Sequence, residues 1–258
     1  MNQTVIHEVR ENNPLIHHLT NQVVMNFSAN GLLSFGATPA MAKAKEEARE
    51  MAMHADGVLI NIGTITPSEV TAMIEAGKAA NEKGIPVVLD PVGIAATPFR
   101  DTTIKQILKE ITPTIIKGNA GEIAYLVHVP WETKGPDAVG EGNIAEVAAK
   151  AQEMYQTAVV VTGKIDIVCT GNYFKENRTG HPFLTKVTGA GCLLGSILTA
   201  CLTTNEPLEE RIQTAVEFYG LAAEYAATNP NVSGSGTFLP YFIDALSLDA
   251  EQLAKHSK

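Results

Sequence analysis

Apolar positions along this chain change their spacing in a regular way, and the changes mark out alternating strands and helices. Residues 14–20 read as a short strand, and residues 23–35 place their apolar side chains at helical spacing. A charged helix through Ala44, Ala48 and Met51 follows. Residues 57–62 form an unbroken apolar run of strand length, the pattern of a strand covered on both faces in a parallel sheet. Thr66-Pro67-Ser68-Glu69 then combines an N-cap hydroxyl, a first-turn proline and a capping-box acid, with Val70, Met73, Ile74 and Gly77 on one face of the helix it starts.

The alternation repeats. Residues 85–90 are a second buried strand, Pro98 opens a helix that packs through Ile104, Ile107, Leu108 and Ile111, and residues 114–117 are a third strand. Residues 119–127 and 145–155 read as helices, and residues 158–162 as a strand rich in β-branched side chains. Between residues 165 and 176 two short strands meet at Gly171-Asn172, a turn pair suited to positive φ, so this end of the sheet turns antiparallel. From residue 189 onward the pattern is helical, over 193–202, 208–227 and 241–255. The expected architecture is an α/β fold: a central, mostly parallel, doubly wound sheet with helices on both faces and a helical C-terminal part. No repeat or linker divides residues 1–258, so one domain is expected, with the polar, glycine-rich residues 131–143 as a surface loop.

Composition narrows the function. The formal net charge is −9 and no basic run occurs, which argues against nucleic acid or an anionic membrane as a partner. No apolar stretch reaches membrane-spanning length and the first residues lack the order of a secretory signal, so a cytoplasmic location is expected. Three cysteines, Cys169, Cys192 and Cys201, fit neither a disulfide framework nor a zinc spacing. Cys169 and Cys201 read as small core residues. His17 and His18 are neighbours on a strand and point to opposite faces, which argues against a shared metal; surface or partner contact accounts for them.

The chemistry concentrates where strands end and helices begin. Thr188-Gly189-Ala190-Gly191-Cys192 leads into an apolar helix, and small residues there let a phosphate approach free backbone N–H groups at the positive end of the helix dipole. Read alone, the segment fits a close-packed turn equally well. A P-loop is excluded, because the Lys and Ser or Thr after its second glycine are absent. A dinucleotide fingerprint fits poorly: Glu209, about 20 residues beyond, falls at a helix start and not at a strand end. Asp90-Pro91-Val92-Gly93 ends a buried strand, where an aspartate can hold magnesium or cap a turn. Lys117-Gly118-Asn119-Ala120-Gly121-Glu122 follows another strand, with Glu122 in a first helical turn, where an acid also serves as a capping residue. Val161-Thr162-Gly163 is a third strand end. An anion hole, two carboxylates and a lysine at one edge of a sheet suit phosphoryl transfer, which needs positioned groups and positive potential.

Together with Asn21-Gln22-Val23-Val24-Met25-Asn26-Phe27-Ser28-Ala29-Asn30 and Pro39-Ala40-Met41, these segments give the chain six short motifs in one order. In that order it resembles the hydroxyethylthiazole kinase family of the ribokinase-like superfamily over nearly its whole length. The resemblance implies a ribokinase-like fold and ATP- and magnesium-dependent phosphorylation of 4-methyl-5-(2-hydroxyethyl)thiazole for thiamine synthesis. It implies a homotrimer with the thiazole between subunits, lined by Asn21, Val23, Met41 and Gly189. Lys117, Thr162 and Asn119 would contact ATP, Asp90 and Glu122 would serve magnesium, and Gly189, Ala190, Gly191 and Cys192 would form the anion hole beside the alcohol. Cys192 stands where related sugar kinases carry an aspartate base, and is expected to help the reaction without being indispensable. Three positions depart from the family's commoner pattern: Ala190 for threonine, Ala95 for glycine, and Lys117 for arginine, whose planar fork lysine lacks. Other enzymes of the superfamily share this phosphate machinery, among them a kinase for a different vitamin alcohol and the nucleotide-dependent dehydratase of hydrated NAD(P)H. A nucleotide-binding regulator without catalysis is the alternative outside enzymes.

Overall fold

The chain opens with a helix that its residue pattern does not announce. Helix α1 (Gln3–Asn12) is capped by Asn2, whose side chain accepts from the Thr4 amide at 3.0 Å, and it buries Val5, Ile6 and Val9. Then come β1 (Leu15–Leu19), α2 (Met25–Phe35), the short β2 (Thr38–Ala40), α3 (Ala48–His54) and β3 (Gly57–Asn61). They are followed by α4 (Pro67–Lys83), β4 (Val87–Asp90), α5 (Pro98–Glu110), β5 (Ile115–Asn119), α6 (Ala120–Leu126), α7 (Ile144–Tyr155) and β6 (Ala158–Thr162). The hairpin β7 (Asp166–Thr170) and β8 (Tyr173–Asn177) precedes four helices, α8 (Ala190–Cys201), α9 (Leu208–Ala227), α10 (Ser235–Ala245) and α11 (Ala250–Lys255). The computed structural model describes residues 1–131 and 143–255; the loop expected over 131–143 lies outside them except for its two ends.

The strands form one sheet in the order β2-β1-β3-β4-β5-β6-β7-β8. Pairing is parallel from β2 through β6 and antiparallel for β6, β7 and β8. The expected hairpin forms, with Gly171 at φ +54° in its turn. Alternate side chains along each strand serve opposite faces. Leu59, Val88, Ile115 and Val160 pack with Phe35, Leu193, Ile197, Phe218 and Phe242 under α1, α2 and α8–α11. Val58, Val87, Leu89, Ile116 and Val159 pack with Ala52, Met73, Ile104, Ile107, Ile123 and Val147 under α3–α7. The architecture is therefore the α/β arrangement expected from the alternating pattern, and among the described residues no helix is long and apolar enough to cross a membrane.

Three expectations change. The helix expected over 241–255 is two helices: α10 begins earlier, at Ser235, runs through Pro240 and ends at Ala245, and α11 starts at Ala250 after a turn. Pro240 has no N–H to give the helical ladder, so α10 carries one backbone bond fewer at that turn. Second, β2 was not expected, since three residues carry no period. Third, His17 and His18 are fully buried and not at the surface. His17 Nε2 lies 2.7 Å from the Ala42 carbonyl, while His18 spans the Ile16 carbonyl and Ser196 Oγ, each at 2.9 Å.

Candidate active site

Parallel strands bring their C-terminal ends to one edge, and that edge collects the polar residues. Asn21 lies just past β1, Asn61 and Asp90 end the paired strands β3 and β4 in register, Lys117 lies midway along β5 and Asn119 closes it, and Thr162, in register with Asn119, closes β6. Helix α8 starts at the same edge: its Cys192 lies against Asn21 and Asn61, so its N-terminal end faces the strand ends.

The start of α8 is shaped by its neighbours. Gly189 has φ +90°, and a Cβ there would lie 2.4 Å from Val24 Cγ1 and 3.4 Å from Phe27 Cδ1, so only glycine allows α2 and this loop to approach so closely. Gly31 allows a second close approach, where a Cβ would meet Leu193 Cδ2 at 2.5 Å. The Tyr219 hydroxyl donates to the Ala190 carbonyl at 2.6 Å and ties the first turn of α8 to α9. Among the described residues the Gly191 and Cys192 amides have no hydrogen-bond acceptor, which leaves two N–H groups at a helix start for an anion. A Cβ on Gly191 would sit 3.4 Å from Lys117 Nζ, so the ammonium adds positive charge beside these amides.

Lys117 donates to Asp90 Oδ2 at 3.0 Å, with both side chains buried. Burial pushes the Asp90 carboxyl up, while Lys117 and Asn61 hold it down. Burial acts to lower Lys117, but Asp90, Cys192 and Glu122 outweigh it and raise the ammonium above its ordinary value. The contacts set the charge on Asp90. Oδ2 accepts from both Lys117 Nζ and Asn61 Nδ2, an arrangement that fits a carboxylate beside an ammonium. Asp90 Oδ1 is buried and has no hydrogen-bond partner among the described residues.

Asn61 is the site residue that the residue pattern did not single out. It donates to Asp90 Oδ2 at 2.9 Å and Cys192 Sγ at 3.2 Å, and accepts from Asn21 Nδ2 and the Gly63 amide, each at 3.0 Å. A lone amide at the end of an apolar strand, one strand away from Asp90, is the signal that could have found it. Cys192 Sγ also accepts from Asn21 Nδ2 at 3.5 Å. Burial, and then Asp90, push the Cys192 thiol above its ordinary range, against Lys117 and the two amides.

Glu122 uses both oxygens on backbone amides, Oε1 on Gly93 and Oε2 on Asn119, each at 2.8 Å. Asn119 returns a bond to the Glu122 amide at 2.9 Å, so the pair is a capping box and also ties β5 to the Asp90-Pro91-Val92-Gly93 turn. Burial and Asp90 raise the Glu122 carboxyl. Arg100 clamps the same turn, donating to Val92 and Ile62 at 2.7 Å each and to Gly63. The Thr162 hydroxyl reaches the Gly118 carbonyl at 3.4 Å.

The structure thus gathers Asn21, Asp90, Lys117, Gly191 and Cys192 into one contact network, with Glu122 and Asn119 one turn away. Val23 and Met41 stand outside it: Val23 is 67% exposed, and Val24, not Val23, packs on Gly189. Depressions of about 350 and 410 Å³ lie elsewhere, at the opposite edge of the sheet around Thr114 and Thr157 and beside β8 around Asn177 and Glu224. The chemistry of the strand ends, and not the size of those hollows, marks the site.

The chain as a whole is similar to known proteins. The model of the hydroxyethylthiazole kinase family matches residues 6–251. Hydroxyethylthiazole kinase 1 of Oceanobacillus iheyensis is 56% identical over 255 residues, 99% of each chain. A solved hydroxyethylthiazole kinase protein from Pyrococcus horikoshii superposes with a TM-score of 0.87 at 38% identity, covering 98% of this chain and 95% of that one. A ribokinase-like superfamily protein from Enterococcus faecalis shares the fold alone, with a TM-score of 0.69 at 14% identity over 99% of this chain and 95% of that one.

Proposed function

The chain belongs to the hydroxyethylthiazole kinase family, and from that premise we propose that it moves the terminal phosphate of ATP onto the hydroxyl of 4-methyl-5-(2-hydroxyethyl)thiazole. The observation that carries this reading is the pair of free amides at Gly191 and Cys192 facing the buried Asp90–Lys117 pair. Phosphoryl transfer asks little covalent chemistry of a protein and depends on positioned positive potential. Here the potential comes from the start of α8 and from Lys117. Lys117 within β5, and Asn119 and Thr162 at the ends of β5 and β6, are assigned to ATP; Gly189, Ala190 and Gly191 are assigned to the moving phosphoryl group.

The residues also fit a magnesium ion. Asp90 Oδ1 is a buried acceptor without a partner, and Glu122 adds a second carboxylate nearby. Magnesium keeps several waters and phosphate oxygens in its shell and needs only one or two protein carboxylates. Held by Asp90 and Glu122, it would neutralise phosphate charge. Asn21, at the base of the α8 start, is assigned to the alcohol. Val23 and Met41 are assigned to the thiazole ring from a neighbouring subunit's side, and the exposure of Val23 suits a contact of that kind in a homotrimer. Cys192 lies beside the alcohol as an auxiliary base.

Incubation with the thiazole alcohol, ATP and magnesium, followed by ADP release and mass detection of the thiazole phosphate, tests the reading. Product that requires all three supports it; ADP release that ignores the alcohol would overturn it.

A further inference from the structure

We propose that Asn61 is a positioning residue for this transfer: a single planar amide sets Asp90, Cys192 and Asn21 relative to one another. The inference rests on the function proposed above. Asn61 is fully buried, and its four hydrogen-bonding positions are all used. Two acceptor positions on Oδ1 take Asn21 Nδ2 and the Gly63 amide, and two donor positions on Nδ2 serve Asp90 Oδ2 and Cys192 Sγ.

The orientation of this amide has one solution. The Gly63 N–H can only donate and the Asp90 carboxylate can only accept, so turning the Asn61 amide over would set donor against donor and oxygen against oxygen. The choice propagates. Because Asn61 Oδ1 can only accept, Asn21 must present its NH2 group there, and the same NH2 reaches Cys192 Sγ. Asn21 Oδ1 is then its one polar side-chain atom engaged by neither Asn61 nor Cys192, an acceptor suited to the hydroxyl of an alcohol. Asp90 is treated alike: Asn61 and Lys117 both anchor Oδ2, and Oδ1 is left without a partner.

The amide is itself rigidly held. Asn61 ends β3 in register with Asp90, and the next residue, Ile62, donates from its backbone to the Asp90 carbonyl at 3.3 Å. Gly63 is needed as well, since a Cβ there would lie 2.7 Å from Asn21 Nδ2. Three groups from β4, α8 and the end of β1 thus take their positions from one side chain, through bonds that the sheet backbone cannot supply.

The test compares Asn61→Ala and Asn61→Ser with the wild type. Serine keeps a hydroxyl but cannot serve Asp90 and Cys192 together. In folded variants kcat is expected to fall about 10–100-fold, the usual scale for removing an orienting partner, with KM for the alcohol and ATP within about threefold. A second readout needs no turnover: the pH at which iodoacetamide alkylates Cys192 at half its maximal rate. Losing one N–H donor on Sγ should raise that pH by roughly half a unit or more, with Cys192→Ser as the labelling control. A kcat within about threefold of wild type, a change in KM alone, or an unmoved alkylation midpoint would overturn the role. Wild-type protein that fails to phosphorylate the thiazole alcohol would overturn the function proposed above instead, and the alkylation midpoint would still judge Asn61.

Discussion

The Lys117 ammonium stands 3.0 Å from Asp90 Oδ2, on neighbouring strands, with the two side chains 4% and 1% exposed. At that depth each charge depends on the other. Lys117→Met should cost about 3–5 kcal/mol, because it leaves a buried carboxylate without its partner. Adding Asp90→Asn should recover much of that loss. Urea unfolding of the two single variants and the double variant checks this, and additive losses would mean that the two groups do not act as a pair.

Gly189 and Gly84 both have positive φ, at +90° and +76°, but only Gly189 has a neighbour in the way of a Cβ; at Gly84 nothing lies within 4 Å. Gly84→Ala should cost about 1 kcal/mol, the strain of the backbone alone. Gly189→Ala adds a collision with Val24 and should cost roughly 1–3 kcal/mol more, besides displacing the α8 amides and lowering turnover. Thermal unfolding of both variants separates strain from collision, and equal shifts would show that Val24 simply moves aside.

Burial pushes the His18 imidazole from 6.5 down to about 4, so the folded chain holds it neutral. Between those values the unfolded chain binds a proton that the folded chain refuses. The stability tied to neutral His18 is therefore complete above pH 6.5 and is lost as the pH falls toward 4, roughly 3 kcal/mol in all. His17 shifts in the same direction, again through burial. Urea unfolding from about pH 7.5 to 4.5 should show stability falling with acid, and His18→Gln should flatten that slope in part. Identical slopes would assign the acid sensitivity elsewhere.

Cys192 is held as a thiol by burial and by Asp90, so it is poorly suited to be an obligatory base. Cys192→Ser should keep measurable turnover, down by no more than about four orders of magnitude, the upper range for general-base catalysis. Steady-state assays of the two proteins decide; a steeper fall would make the sulfur essential.

Most of the sheet could be read from the chain because strands buried on both faces leave unbroken apolar runs, as in β3, β4 and β6, and because helices such as α4 carry their start signals in sequence. Helix α1 escaped because only Val5, Ile6 and Val9 face the core among charged and polar neighbours. The histidines escaped because their burial depends on Ala42 and Ser196, residues brought near only by the fold. Asp90, Lys117 and the α8 start stood out as strand ends and a helix start. Asn61 did not, since an amide after Leu59 and Ile60 shows nothing until β4 and α8 are set beside it. Glu122 carried both of its readings from the start, and the capping box is present.

The segments that meet at the strand ends are far apart along the chain: Asn21 and Cys192, in contact, are separated by 171 positions. A polypeptide halted after β8 has no helix start to receive a phosphate, and it lacks the helices α8–α11 that cover one face of the sheet. Both halves of the chain are therefore needed to assemble the phosphate-receiving edge, and a fragment ending at β8 is expected to be chemically silent.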